Sequence, residues 1–280
     1  MAPTKGLKIV GPNAGLAPDD PNRVEEAVLT GGIEASNGGL ELDGVTIDGK
    51  GAYAVGAGDV VVKNTIIQNV NTGSSGGGAD SVIGLEAKGS GNVVIENVKI
   101  VNVSGAANAM GIRIKDAVTG ITINNCHIEN VGHNAINIFT TPALTQLDIT
   151  NNTLINWDSD MDATDGGRAI RIAFNALVTP FTLNITGNTM TAPDYAGAGV
   201  VTPTDLEYIK INHISKLASL VFENNIISEP IAAQWILSLG VGASTPDATN
   251  NISINDGPVA PVDTKTLTAA NFLNKITVTP

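Results

Sequence analysis

The sequence predicts an all-β solenoid of about seven to eight stacked rungs with capped ends. A six-residue pattern recurs along the 280 residues, and its third position is always asparagine or glycine. The composition fits this prediction, because hydrophobic residues make up 42% of the chain but aromatic residues only 4%. The core must therefore be built from valine, isoleucine, leucine and alanine, which suit buried parallel strands.

The pattern reads apolar, any, Asn or Gly, any, any, apolar. Its starts are separated by 20, 33, 28, 26, 36 and 37 residues, so one unit corresponds to one turn of a coil with loops of varying length. The seven segments are Leu42–Ile47, Val62–Ile67, Ile95–Ile100, Ile123–Ile128, Ile149–Leu154, Ile185–Met190 and Phe222–Ile227.

The third position of the pattern predicts a sharp bend between two short strands. Glycine and asparagine tolerate left-handed backbone angles that other residues avoid. The residues at this position are Gly44, Asn64, Asn97, Asn125, Asn151, Gly187 and Asn224.

Each later rung carries a second strand signature after its loop, such as Ile112–Lys115 or Ile170–Ile172. Alternation places the aliphatic residues inside and the intervening residues outside. We therefore predict one outward column, formed by Glu86, Arg113, Asn137, Arg171, Lys210 and Ser238.

We predict three segments along the chain. Residues 1–39 form an N-terminal cap and a first partial rung, and residues 40–242 form the parallel coil. Residues 243–280 form a C-terminal cap or an assembly segment, because the pattern decays after Gly242 and a solenoid must cover its exposed edges. Self-association through the termini follows as an expectation.

Charge and composition exclude several classes of partner. The net charge of −12 and the pI near 4.5 argue against nucleic-acid binding, since that partner selects basic surfaces. No apolar run reaches the roughly 18 residues of a membrane span, so we expect no membrane insertion. The single cysteine, Cys126, excludes an internal disulfide and is expected to be a small packing residue.

The first residues leave two locations open. Met1–Gly11 lacks the apolar core of a secretory signal, so either the chain is cytoplasmic or its signal peptide has been removed. The asparagine-, threonine- and glycine-rich, lysine-poor composition favours an extracellular or cell-surface location.

In these residues the chain resembles the right-handed parallel β-helix superfamily typified by pectate lyases, whose turns stack asparagines at a left-handed bend. The resemblance covers about Leu40 to Leu239. The start, Lys8–Gly15 followed by Glu25–Gly31, is also similar to β-helix domains of bacterial surface proteins. The resemblance implies a right-handed coil but leaves activity open, because the superfamily includes lyases, hydrolases, esterases, tailspikes, adhesins and structural proteins.

The resemblance also implies that the lyases use calcium-binding carboxylates with an arginine or lysine base. The nearest match is the run from Asp158 to Arg168. Alternating carboxylates can converge on Ca²⁺, although this run lacks the glycine and distal glutamate of an EF-hand, and a solvated loop is the alternative. The candidate calcium ligands are Asp158, Asp160, Asp162 and Asp165.

A basic stripe on the outward column is the second candidate site. It would hold an acidic glycan, although charged residues belong on the outside of strands in any case. Trp157 lies at the mouth of the aspartate run, where its ring either stacks on a sugar or covers the core. The candidate glycan-binding residues are Arg113, Lys115, Asn137, Arg171, Lys210 and Trp157.

Two functions follow as hypotheses. The first is an extracellular structural or adhesive surface protein, stabilised by calcium and able to bind glycans or self-associate. The alternative is a lyase or glycoside hydrolase that acts on an acidic polysaccharide. We assign no catalytic residue, since His133 follows the Arg113–Lys115 motif and the paired aspartate motifs of polygalacturonase-like hydrolysis are missing.

Overall fold

The structure, a computed structural model, consists of β-strands wound into a parallel β-helix with three sheets. Neighbouring coils pair in parallel with matched register, as in Ile121 with Leu147 and Ile123 with Ile149. This confirms the predicted fold class. The described residues are 6–36, 38–72, 81–105, 108–116, 118–140, 143–161, 166–173, 180–195, 197–199, 207–212, 217–228, 235–240, 252–253, 258–259, 264–267 and 276–279.

The three sheets, here called A, B and C, receive one strand from each coil in turn. Sheet A contains β1 (Leu7–Val10), β4 (Leu40–Asp43), β7 (Val60–Lys63), the second half of β9 (Ser81–Glu96), β12 (Val118–Asn124), β15 (Gln146–Thr150), β18 (Phe181–Thr186) and β21 (Leu217–Glu223). Sheet B contains β2 (Val28–Leu29), β5 (Thr46–Asp48), β8 (Ile66–Val70), β10 (Lys99–Val103), β13 (His127–Val131), β16 (Thr153–Trp157), β19 (Thr189–Thr191), β22 (Asn225–Ser228) and β27 (Ile276–Thr279).

Sheet C is continuous with sheet A through the long strand β9. It contains β3 (Ile33–Ser36), β6 (Ala52–Ala57), the first half of β9, β11 (Asn108–Asp116), β14 (Asn134–Thr140), β17 (Ile170–Ala173), β20 (Glu207–Asn212), β23 (Trp235–Gly240) and the antiparallel β26 (Thr264–Leu267). A separate antiparallel pair is formed by β24 (Ile252–Ser253) and β25 (Pro258–Val259).

Coils are numbered from the N-terminus, so coil 1 is β1–β3 and coil 8 is β21–β23. Coil 1 already places one strand in each sheet, and these strands pair in parallel with β4, β5 and β6. Residues 7–36 thus contribute one strand to each of the three sheets. The division at residues 39 and 242 remains a prediction.

The interior of the coil is filled by aliphatic columns. Leu42, Val62, Ile95 and Ile123 occupy one such column on sheet A and are fully buried. Burial of a side chain of this size contributes about 1.5–3 kcal/mol. The core is therefore one continuous apolar rod, as the composition predicts.

The bend between sheets A and B has the predicted left-handed backbone in all seven coils. Its φ values lie between 49° at Asn64 and 68° at Gly44. Glycine is required at position 44, because a Cβ there would lie 2.0 Å from the backbone nitrogen of Ala14, where the N-terminal loop crosses the bend. The asparagines at this bend also bond to one another: Asn97 Nδ2 donates to Asn64 Oδ1 (3.2 Å) and Asn125 Nδ2 to Asn97 Oδ1 (2.6 Å).

Two further asparagine ladders were not predicted. The first lies five residues after the bend, at the ends of sheet B strands, where Asn69, Asn102, Asn130 and Asn156 all have left-handed φ values and bond in series.

The second unpredicted ladder is buried inside the bend. Asn152, Asn188 and Asn225 bond in series, and the backbone nitrogen of Cys126 donates to Asn152 Oδ1 (2.9 Å). Cys126 is 1% exposed, which confirms its packing role, and burial raises the pKa of its thiol to about 12. Among the described residues, no helix has the length and hydropathy needed to cross a membrane.

Candidate functional site

The outer face of sheet C carries the predicted polar column. Strand pairing aligns its members on successive coils, and the column continues toward the N-terminus through Tyr53 of coil 2 to Glu34 of coil 1. The prediction is confirmed for the register of all six residues, which are Glu86, Arg113, Asn137, Arg171, Lys210 and Ser238.

The first half of this column is buried, which corrects the expectation that it faces solvent. Glu86 is 0%, Arg113 9% and Asn137 3% exposed. Arg113 donates to Glu86 Oε1 from Nε (3.2 Å) and Nη2 (3.0 Å), beside a small apolar cluster that includes Tyr53 and Met110. Arg113 is therefore half of a buried ion pair, and its guanidinium is not freely available to a glycan.

Two buried acceptors of this column have no hydrogen-bond donor within the described residues. They are Glu86 Oε2 and Asn137 Oδ1, on either side of Arg113. A buried acceptor without a donor costs about 1–3 kcal/mol, so an ordered water or a donor-bearing ligand is the expected occupant. Asn137 Nδ2 points the other way and contacts Met110 Sδ at 3.1 Å.

A second polar column on this face escaped the sequence analysis. Arg168 Nε lies 3.1 Å from Glu207 Oε2, which also binds Lys210 Nζ at 2.9 Å. The backbone nitrogen of Arg168 donates to Asn134 Oδ1 (3.1 Å). The sequence contained a signal for this column. Two residues before the first isoleucine of a sheet C strand lie Asn134, Arg168 and Glu207.

The aspartate run begins beside this column. Asp158 is fully buried and accepts a hydrogen bond from the Tyr195 hydroxyl. Burial, together with the hydrogen bond and the charge of Asp158, raises the pKa of Tyr195. Asp160 is exposed, and partial burial raises the pKa of its carboxyl while nearby His133 opposes the shift.

The predicted calcium ligands therefore do not form one visible set. Asp158 is bound to Tyr195, whereas Asp160 is exposed, and Asp162 and Asp165 lie outside the described residues. No group of three or more His, Cys, Asp or Glu side chains suited to a metal occurs in the part of the chain that the structure describes. Calcium binding remains a prediction.

Trp157 belongs to the core, and the stacking-platform alternative is wrong. Its side chain is 0% exposed, because β16 places it in an inward column of sheet B beside Val131. Its ring meets Tyr208 edge to face, with centroids 5.1 Å apart and planes at 67°. Such an aromatic pair contributes about 0.5–1.5 kcal/mol beyond burial. The alternative that Trp157 covers the core fits this position.

Comparison with known proteins was informative at the level of the family. The sequence profile described as "Right handed beta helix region" matches residues 22–205. The chain belongs to this right-handed β-helix family. No curated protein and no solved structure matches the chain.

The faces of this right-handed β-helix differ in charge. In coils 3–7, the strands of sheet C carry five basic residues against three acidic ones, although the whole chain has a net charge of −12. Sheet A carries one basic and two acidic residues in the same coils, and sheet B one of each. The sheet C residues are Lys88, Arg113, Lys115, Arg171 and Lys210 against Glu86, Asp116 and Glu207.

The β-helix also has a cavity of about 190 Å³ on the bend between sheets A and B. Its wall includes Asp19 of the N-terminal loop and the side chains of Lys99, Asn125 and His127. None of the predicted glycan-binding or calcium-binding residues lines it, so the basic face of sheet C is a separate feature.

Proposed function

We propose that this chain is an extracellular or cell-surface β-helix protein that binds an acidic polysaccharide along the outer face of sheet C. The observation that carries the proposal is the excess of basic residues on this face of an acidic chain. Three of the four arginines lie on this side of the coil; Arg113 and Arg168 are held in buried ion pairs with Glu86 and Glu207, whereas Arg171 is only partly buried. The asparagine- and threonine-rich, lysine-poor composition supports the extracellular location.

Arg171 and Lys210 are the central contacts of the proposal. They are paired in register on adjacent coils, and both side chains are half-buried. Adjacent coils are ~4.8 Å apart, so a linear polyuronate parallel to the coil axis would meet cations at the two successive coils of Arg171 and Lys210. Arginine binds carboxylates with two parallel hydrogen bonds, and partial burial reduces the screening of such pairs by salt.

The buried ion pairs hold these contacts in place. Glu207 binds both Arg168 and Lys210, which fixes the direction of the lysine side chain before any ligand arrives. The ion pair between Glu86 and Arg113 is also buried, and Arg113 lies on the coil next to that of Asn137. A site with fixed side chains loses less conformational entropy on binding.

Isothermal titration with polygalacturonate tests the proposal. Arg171→Ala with Lys210→Ala should weaken binding at least about tenfold, and 0.5 M NaCl should weaken wild-type binding as well. The matched control, Lys63→Ala with Lys99→Ala, removes the same charge from sheets A and B and should bind like the wild type. Absence of wild-type binding, or an equal loss in the control, would overturn the proposal.

Calcium stabilisation is the second part of this function. It rests on the closely spaced aspartates of the run that starts at Asp158. Calorimetric titration with CaCl₂ should show binding to the wild type and none to Asp160→Ala with Asp162→Ala. Absence of heat together with an unchanged melting temperature in the wild type would exclude a calcium site.

Cleavage of the same polysaccharide is the second candidate function. One observation favours it: His133 and Asp160 interact electrostatically, and Asp158 is hydrogen-bonded to Tyr195, beside Arg168 on the basic face. Groups with altered pKa values in such a setting are typical of acid and base catalysts. Incubation with polygalacturonate and Ca²⁺ should then produce either the absorbance of an unsaturated product or new reducing ends. If both signals are absent, cleavage is excluded and binding is left as the function.

A further inference from the structure

One coil in the middle of the basic face of sheet C carries no basic residue. The sheet C strands of coils 3, 4, 6 and 7 each contain a lysine or an arginine, whereas β14 of coil 5 contains neither. In β14, Phe139 follows the inward Ile138 and therefore lies at an outward position, where it is 37% exposed. An aromatic ring thus lies where the series of cations is interrupted.

Phe139 differs from the other aromatic residues of the protein. Among those whose burial the structure describes, it alone is exposed. The others, each at most 6% exposed, are Tyr53, Trp157, Phe181, Tyr195, Tyr208 and Phe222. A single exposed apolar side chain needs no explanation in itself, so the neighbours of Phe139 decide what the ring can do.

Two cations precede Phe139 in its own outward column. The strand register places Lys88 of coil 3 and Lys115 of coil 4 directly in line with Phe139 of coil 5. Both lysines are half-buried, and neither forms a salt bridge with a residue that the structure describes. Their ammonium groups therefore remain available to an anionic ligand.

Two further cations follow Phe139, in the neighbouring outward column. Arg171 and Lys210 lie in register on coils 6 and 7. Beside the ring itself, coil 6 places Ala173, whose side chain is only a methyl group. With ~4.8 Å between coils, the path from coil 3 to coil 7 spans about 19 Å, and the ring lies at its centre. A linear polymer that follows the coil axis would therefore cross the ring between two pairs of cations.

We propose that Phe139 is a stacking platform for one sugar ring of the polysaccharide, with carboxylates bound by the cations on either side. The C–H groups on the apolar face of a pyranose carry partial positive charge, which matches the negative face of an aromatic ring. The inference rests on the proposed function and narrows its ligand class. A polyuronate supplies both carboxylates and sugar rings, whereas a polyanion without rings would engage the cations alone.

Isothermal titration of Phe139→Leu with two polymers tests this role. Leucine keeps an apolar side chain but removes the aromatic face, so the affinity for polygalacturonate should fall about threefold to tenfold. The affinity for poly-L-glutamate, which has carboxylates but no sugar rings, should stay unchanged. Because the stacking contact is uncharged, the factor lost with polygalacturonate should be the same at low and at moderate salt.

Two further variants complete the titration. Phe139→Trp has a larger ring and should bind polygalacturonate at least as tightly as the wild type. The matched control, Ile226→Leu, changes an apolar residue of sheet B that is 40% exposed and should bind both polymers like the wild type. Melting temperatures of all three variants establish that the chains are folded.

Tryptophan fluorescence locates the ligand at the ring. In Phe139→Trp, polygalacturonate should shift the emission of the new indole to shorter wavelengths, because a stacked sugar displaces water from it. The same titration of the wild type supplies the signal of Trp157 and Trp235 for subtraction. Ile226→Trp should show no shift beyond that signal.

The outcomes separate this inference from the function on which it rests. Wild-type binding that Phe139→Leu leaves unchanged, an equal loss for both polymers, or no emission shift in Phe139→Trp would overturn the role of Phe139 alone. Absence of polygalacturonate binding to the wild type would overturn the proposed function and this inference together.

Discussion

The bend between sheets A and B and the outer face of sheet C are crossed by the same coils but are built by different rules. The bend repeats a left-handed asparagine or glycine in seven coils. The face changes at every step, from Tyr53 through Glu86 and Arg113 to Asn137. Where one residue type repeats, the backbone angle selects it. Where the type changes from coil to coil, contacts between neighbouring side chains select it.

The two regions also satisfy their buried polar groups differently. Inside the bend, neutral amides bond in series, as Asn152 to Asn188 and Asn188 to Asn225. On sheet C, charged groups neutralise one another across coils, as Arg113 does with Glu86. Removing one member should therefore cost more on sheet C, since a buried charge without a partner is worse than an unpaired amide.

The largest effect should come from breaking the Glu86 and Arg113 pair. Arg113→Met leaves the fully buried Glu86 carboxylate alone and should lower the free energy of unfolding by about 3–5 kcal/mol. Urea denaturation measures this loss. The matched control is the double variant Glu86→Gln with Arg113→Met, which removes both charges and should recover most of the stability. A single variant within 1 kcal/mol of the wild type would contradict the buried-pair description.

The bend should respond next, through its buried ladder. Asn188 Nδ2 donates to Ile149 O (2.9 Å) and to Asn225 Oδ1 (3.0 Å), and its Oδ1 accepts from Asn152. Asn188→Ala leaves several of these neutral groups unsatisfied and should cost about 2–3 kcal/mol by the same denaturation measurement. Asn22→Ala, at an exposed asparagine that bonds to Asp20 at the surface, should be near neutral. Equal losses of unfolding free energy in Asn188→Ala and Asn22→Ala would contradict a stabilising role of the ladder.

The contrast also explains what the sequence could predict. A periodic backbone requirement leaves a periodic signal, which is why Asn125 and its equivalents were found, and why the ladder through Asn69 could have been found five residues later. The register of the outward column followed from strand alternation. Its burial did not, because it depends on contacts between particular side chains, such as those of Arg113 with Glu86 and Ser81, which carry no period. The same limit applied to Trp157, whose inward position depends on where β16 ends.

A smaller effect should separate conformation from hydrogen bonding at the bend. Asn125 has φ of 53° and an exposed side chain. Asn125→Ala should cost about 1–2 kcal/mol, because alanine avoids the left-handed region, whereas Asn125→Gly should recover most of that loss. Thermal unfolding of the two variants measures the difference. If glycine were as destabilising as alanine, the bond to Asn97 and not the backbone angle would be the main contribution of this residue.

The smallest effect should come from Asp160, on the sheet C side of the comparison. Its folded pKa is raised because partial burial disfavours the charged carboxylate. The wild type should therefore lose stability as pH rises from the unfolded pKa of the carboxyl through its folded value, and Asp160→Asn should remove this dependence. At pH 7 the gain should be below about 0.5 kcal/mol, since the group is exposed and solvent screens it.

Calcium binding at Asp160 would reverse the expected difference in stability between the wild type and Asp160→Asn, so CaCl₂ provides a sharper test. If Asp160 ligates Ca²⁺, millimolar CaCl₂ should raise the melting temperature of the wild type, because a ligand that binds only the folded state stabilises it. Asp160→Asn should lose that increase and become the less stable protein in CaCl₂. If Asp160 instead lies in a solvated loop, calcium should not change which of the two proteins has the higher melting temperature. That result would show that Asp160, beside the basic face, does not bind the metal.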